Sequence, residues 1–254
     1  MCRHLAYLGP PVSLAALLTE APHSLLHQSW APRDMRRGGT VNADGFGAGW
    51  YVEGRTEPVR YRSERPIWVD DNFRRLVAAT SSGAVLAAIR SATVGMPVIE
   101  TAAAPFTAGP WLFSHNGAIT GWPDSVVAAA AGRLPVRDLL TLDAPTDAAL
   151  LWALVRQRLL DGAPPAAAVA DTVSEVAAVA PGSRLNLLLT DGQVIVASTV
   201  GHALSVRQLP DAVLVASEPI DGEPDWRAVP AGHLLVATPD GHKLSELPTS
   251  PGER

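Results

Sequence analysis

Residues 1–10 read MCRHLAYLGP, and the only cysteine of the 254-residue chain stands at position 2. Alternation puts Cys2, His4, Ala6 and Leu8 on one face of a strand, and Arg3, Leu5 and Tyr7 on the other. Apolar residues on both faces mean that both faces are covered, so the strand belongs inside a layered fold.

A lone cysteine closes no intramolecular disulfide and excludes cysteine-based zinc clusters. Cys2 is then a buried hydrophobe, an accident or a reagent. A small second residue predicts removal of Met1, which would leave Cys2 with the free α-amine. A thiol at its reference pKa of about 8.5 is mostly protonated at neutral pH and needs a base beside it. An α-amine, with a reference value of about 7.7 to 8.0, can be tuned to that task. His4 is the competing base, about 6.6 Å along the strand on the same face. Two parallel side chains on one strand face align poorly for direct proton transfer, and a strand histidine bonded to a neighbour is the plainer reading.

Outward from this strand, FGAGWYV, VLAAIR and WLFSHNG are short apolar runs ending in Gly or polar residues. Helical patterns fill the middle: DDNFRRLVAAT, PDSVVAAAA, PTDAALLWALVRQRLLDG and PPAAAVADTVSEVAAVAPG. Strands return in RLNLLLTDGQVIVAST, DAVLVASEP and HLLVATPDGHKL, the first and last turning at Asp-Gly. Two stacked sheets covered outside by helices account for so many nearly continuous apolar strands. The expected class is α+β, in a single domain over residues 2–248 with a flexible tail at 249–254.

Composition excludes several function classes. No apolar run approaches the roughly 18 to 20 residues that span a bilayer, and the N-terminus lacks a signal-peptide h-region, which predicts a cytoplasmic protein with no membrane partner. Net charge is −5, and the one basic cluster, RDMRR at 33–37, is too small for a nucleic-acid footprint. Oligomeric state is left open, a homo-oligomer among the options.

Several short motifs could serve acyl transfer. Asn116 and Gly117, in FSHNG, supply a side-chain amide and a backbone N–H of the kind an oxyanion hole uses, although a turn uses Asn-Gly equally well. Arg90, closing the run AAIR, is a fork suited to a carboxylate, and Thr93 follows with a hydroxyl. Asp147, after Thr146 at a helix start, either caps free N–H groups or holds an ammonium. NADGFGAG at 42–49 is a tight turn rather than a phosphate loop, since neither a following helix nor Lys-Ser/Thr is present. Ser217 and Glu218, in VASEP, read as a turn with polar residues more readily than as a distant pocket wall.

In this order, Cys2, NADGFGAG, IRSAT, SHNG and PTD resemble the class II glutamine amidotransferases, which are N-terminal-nucleophile hydrolases. With MCRHLAYLG, SWAPR, IRSATVG and AAPFT, the likeness extends over most of the chain to the γ-glutamyl amidohydrolases of actinobacterial ergothioneine biosynthesis. The resemblance implies a four-layer αββα core with two mainly antiparallel sheets. It implies Cys2 as nucleophile with its α-amine as base, Asn116 and Gly117 as oxyanion hole, and Arg90 and Thr93 at a substrate carboxylate. It further implies Asp147 at a substrate ammonium and Asn42 near the N-terminus. The implied partner is a small γ-glutamyl compound, γ-glutamyl-hercynylcysteine S-oxide, cleaved to glutamate without metal or organic cofactor. Ser91 and Val94 stand where ammonia-channelling relatives often carry Trp and His, which suits a bulkier leaving group. A trimethylammonium on that group would favour aromatic faces, for which Trp30, Trp68, Trp111 and Trp122 are available. A glutaminase subunit serving a separate synthase and a non-catalytic γ-glutamyl-binding module are the alternatives.

Overall fold

A computed structural model describes residues 2–35 and 41–248. The tail expected at 249–254 lies outside the described residues, as do Arg36 and Arg37 of the basic cluster.

Strand β1 spans Arg3–Ser13, past the Gly9-Pro10-Pro11 stretch where the apolar alternation stops. Its register against β4 (Ser81–Ile89) shifts between Leu8 and Val12, an irregularity that absorbs the two prolines. Strands β2 (Phe46–Trp50) and β3 (Val59–Ser63) extend this sheet on the far side of β4. Strands β9 (Ser205–Gln208), β10 (Val213–Ala216) and β11 (Arg227–Ala228) extend it on the far side of β1. Among the described residues the order is β11-β9-β10-β1-β4-β2-β3.

The second sheet comprises β5 (Phe106–Ala108), β6 (Trp111–Ala118), β7 (Arg184–Thr190), β8 (Ile195–Thr199), β12 (His233–Thr238) and β13 (Gly241–Glu246), in the order β13-β12-β8-β7-β6-β5. Neighbouring strands pair antiparallel, and the β7–β8 and β12–β13 hairpins turn at Asp191-Gly192 and Asp240-Gly241 as expected.

Side-chain parity sorts the core into three layers of contact. Ala6 and Leu8 of β1 meet Leu112, Leu188, Ala197 and Leu235 between the sheets. Leu5 and Tyr7 face outward under Leu14, under Leu17 and Leu18 of a helical turn at 16–20, and under Leu25 of α1 (Leu25–Gln28). Phe73 and Val77 of α2 (Asp71–Ala78) close that side. On the other sheet, Phe113, Leu187 and Leu189 face α3 (Val127–Arg133), α5 (Asp147–Leu160) and α6 (Pro165–Val179), while α4 (Val136–Leu140) buries no residue fully. Helices therefore cover both outer faces of two stacked sheets, the αββα arrangement expected from the apolar strands.

The sequence also predicts the helix starts. Asp70 Oδ1 accepts from Phe73 N at 2.9 Å to cap α2, and Thr146 Oγ1 accepts from Ala149 N at 3.3 Å to cap α5. Residues 123–131 are less regular than their alanine run predicts: a 3-10 turn at Asp124–Val126 precedes α3.

Candidate active site

Cys2 lies immediately before β1 and is half-buried, with its thiol donating to the Ser91 carbonyl oxygen at 3.7 Å. Ser91 follows Arg90 beyond the end of β4, so antiparallel pairing of β1 with β4 brings position 2 to positions 90–91.

The NADG turn locks onto the same place. Asp44 N donates to Arg90 O at 3.0 Å, Arg90 N to Gly45 O at 2.8 Å, and Ala92 N to Asp44 Oδ2 at 2.8 Å. Gly45 adopts φ +117°, a left-handed conformation that a side chain would strain. Arg90 Nη1 donates to the carbonyls of Asp44 and Pro97 at 3.3 and 2.9 Å, and no carboxylate among the described residues pairs with the guanidinium. Neutral partners hold the fork in place without neutralising it. The charge is left for an anion.

Gly117, near the end of β6, pairs with Leu185 of β7. A Cβ built there would lie 1.9 Å from Arg184 O and 2.5 Å from His115 Nε2, so no side chain fits. His115 Nε2 donates to Arg184 O at 2.9 Å and fixes the same corner. Asp147 opens α5, its Oδ2 accepting from Ile119 N at 3.0 Å and its Oδ1 from Ala148 N at 2.8 Å.

These pieces meet at one cleft that is partly open to solvent. Cys2, Arg90, Thr93, His115, Gly117 and Asp147 line it, Thr93 at an exposed position. A thiol, a cation and a carboxylate thus border one space, the arrangement needed to seat an amino-acid head group beside a nucleophile. Asn116 and Asn42 do not line the cleft; each is buried to 1% exposure. Asn116 Nδ2 donates to Ser217 Oγ at 3.5 Å, while its Oδ1 and both amide atoms of Asn42 have no partner among the described residues. None of Trp30, Trp68, Trp111 and Trp122 lines the cleft. Trp30, 46% exposed, meets Trp68 edge-on at 6.1 Å, and Trp111 and Trp122 pack on the helix side of the second sheet.

His4 donates to or accepts from Ser114 Oγ through Nδ1 at 3.2 Å, the plainer of its two readings. Burial, then the nearby His115, His202 and Arg3, push its pKa down to about 3, which leaves a neutral and weakly basic imidazole. Ser217 and Glu218 lie in a bend just after β10, in keeping with the turn reading, and do more than cap it. Both are buried, and both brace β1: Ser217 Oγ accepts from His4 N at 3.0 Å, and Ser217 N donates to His4 O at 2.9 Å. Glu218 accepts from Arg3 Nε and from His23 Nε2, each at 2.7 Å. Burial alone would raise its carboxyl, but hydrogen bonds from His23 and Arg33 N, with the Arg3 charge, bring it down to about 2. An acid ending an apolar strand in VASEP was the one available signal; its partners lie too far along the chain to be read.

The family profile described as class-II glutamine amidotransferases matches residues 13–211. The chain belongs to the class II glutamine amidotransferases. The match begins beyond Cys2, but full-length relatives of this class II amidotransferase cover that segment too. It is 39% identical over 254 residues to the gamma-glutamyl-hercynylcysteine sulfoxide hydrolase of Mycobacterium tuberculosis, covering 100% of both chains. It is 42% identical over 235 residues to the protein of the same name from Mycolicibacterium smegmatis, covering 92% of this chain and 95% of the relative. Among solved structures, a glutamine aminotransferase class-II domain protein from Silicibacter pomeroyi superposes with TM-score 0.68 at 24% identity, over 98% of this chain and 100% of that one. That likeness concerns the fold: two antiparallel sheets with helices outside.

Proposed function

We propose that this amidotransferase hydrolyses the γ-glutamyl amide of γ-glutamyl-hercynylcysteine S-oxide, releasing glutamate and hercynylcysteine S-oxide in ergothioneine biosynthesis. The observation that carries the reading is a thiol, an unneutralised arginine and an aspartate around one cleft, in a chain 42% identical to a hydrolase of that name. The whole reaction is carried by the catalytic domain at 2–248, in the cytoplasm. No helix among the described residues is long and apolar enough to cross a membrane.

With Met1 removed, the Cys2 α-amine accepts the thiol proton. Arg90 and Thr93 receive the α-carboxylate of the glutamyl group and Asp147 its ammonium, placing the γ-carbonyl beside the sulfur. Thiolate attack forms the C–S bond and moves the carbonyl electrons onto oxygen, where the Gly117 N–H and the Asn116 amide stabilise them. To reach that oxygen, the Asn116 amide exchanges its 3.5 Å contact with Ser217 for the oxyanion. Collapse breaks the C–N bond, and the leaving nitrogen takes the proton held by the α-amine. Water, giving a proton to the same amine, then cleaves the thioester and frees glutamate and the thiol.

The test combines intact-mass analysis with glutamate release by wild type and Cys2→Ala from γ-glutamyl-hercynylcysteine S-oxide, its unmethylated analogue and glutamine. The expected result is a mass lacking Met1, fastest turnover of the betaine substrate and none in Cys2→Ala. Retained Met1 in active enzyme, or activity in Cys2→Ala, refutes the mechanism. Preference for free glutamine refutes the substrate assignment and supports a glutaminase.

A further inference from the structure

The ladder between β1 and β4 begins at the pair Arg3–Ile89, and that between β1 and β10 at Leu5–Ala216. Cys2 stands one residue outside the first ladder and three outside the second. The backbone at this position is therefore held by side chains rather than by sheet pairing.

Arg3 supplies the hold on Cys2. Its Nη1 donates to the Cys2 carbonyl oxygen at 3.0 Å, its Nε to Glu218 Oε1 at 2.7 Å, and its Nη2 to the Asp34 carbonyl oxygen. Glu218 in turn collects four donors. Oε1 also accepts from Asp34 N at 3.2 Å, and Oε2 accepts from His23 Nε2 at 2.7 Å and Arg33 N at 2.8 Å. Arg3 and Glu218 are 2% and 4% exposed. Three chain segments, at 2–3, 23 and 33–34, thus converge on one carboxylate.

A buried ion pair is a weak source of stability, because desolvating both charges offsets their attraction. What the pair does supply is geometry: a planar fork with fixed donor directions, clamped on one side by Glu218 and aimed on the other at the Cys2 backbone. We propose that Glu218 is a positioning residue for hydrolysis, acting through Arg3 to place the Cys2 backbone, and with it the thiol, against the substrate carbonyl. The inference rests on Cys2 being the nucleophile. Arg90, Thr93 and Asp147 make none of their hydrogen bonds with this network, so substrate binding is independent of it.

The experiment measures kcat and KM for glutamate release in Glu218→Gln and Arg3→Lys, with thermal unfolding and the rate of Cys2 alkylation by iodoacetamide. Glu218→Gln keeps the shape and removes the charge. Arg3→Lys keeps the ion pair, so no charge is left buried alone, but one ammonium cannot serve Glu218, Cys2 and Asp34 in the fixed directions of the fork. The expected result is a tenfold or larger loss of kcat in Glu218→Gln and at least fivefold in Arg3→Lys. KM stays within threefold, and alkylation slows with kcat. A kcat within twofold of wild type in either folded variant overturns the proposal, as does a loss carried by KM. Failure of both variants to fold also overturns it, since the network would then serve the fold rather than the nucleophile. Cys2→Ala, assayed alongside, separates the two readings: if it is inactive while Glu218→Gln is fully active, only this inference fails.

Discussion

Asn116 and Gly117 are neighbours in β6 with different demands on them. Gly117 is required by space, because Arg184 O and His115 Nε2 occupy the volume a Cβ would take. Asn116 enters the proposed mechanism through its amide, which is buried and lies 3.5 Å from Ser217 Oγ. A donor held this loosely can turn to an oxyanion at little cost. Removing one such donor typically lowers kcat by about 10²- to 10³-fold. Asn116→Ala is accordingly expected to lose about 100-fold in kcat with KM within a few-fold; steady-state kinetics showing a KM effect alone would exclude the oxyanion role. At this scale much was legible, since Cys2, Arg90, Gly117 and Asp147 are chemically distinctive residues at the ends of apolar segments. Glu218 was not: its partners Arg3 and His23 lie 215 and 195 positions away.

Elements place these residues. The β1–β4 register carries Cys2 to Ser91, and the cap of α5 carries Asp147 to Ile119. Thr146 and Asp147 divide two duties that sequence alone left open. Thr146 Oγ1 caps the helix by accepting from Ala149 N, while Asp147 accepts from Ile119 N and Ala148 N and still borders the cleft. Thr146→Ala should cost about 1 kcal/mol of stability, the usual worth of an N-cap, with recovery in Thr146→Ser. Denaturant titration reads both; an unchanged midpoint in Thr146→Ala would show that the cap contributes nothing. Element boundaries were less legible than element types. β1 continues beyond Pro10 and Pro11 because β4 remains alongside to pair with Val12 and Ser13, a long-range fact that local alternation does not contain.

Across the whole molecule, the space between the sheets is apolar at its centre and polar at the Cys2 end. His4 and His202 are buried there, with pKa values pushed down to about 3 and about 4, in both cases first by burial. Folded protein therefore keeps both imidazoles neutral below their ordinary value of 6.5, while the unfolded chain protonates them. The unfolded state binds more protons, so stability falls as pH drops from about 6.5 towards 4. Glu218, held at about 2, adds to the fall below its ordinary 4.5, since its stabilisation is present above that value and lost as pH approaches 2. Urea midpoints measured from pH 7 to 4.5 should decline, with a smaller slope in His202→Asn; a flat profile would contradict buried neutral histidines.

By itself the sequence determined the layered fold class, the helix starts and turns, and a nucleophile candidate in the only cysteine. These follow from local rules: apolar periodicity, capping chemistry, backbone freedom at glycine and the count of one residue type. Only the tertiary structure decided which groups stand around the thiol, that His4 is a neutral neighbour of Ser114, and that the polar pair of VASEP braces β1. Hydrogen bonds, desolvation and Coulomb attraction depend on distance through space. Position along the chain determines that distance only between near neighbours, and MCRHLAYLGP is completed by residues from the opposite end of the protein.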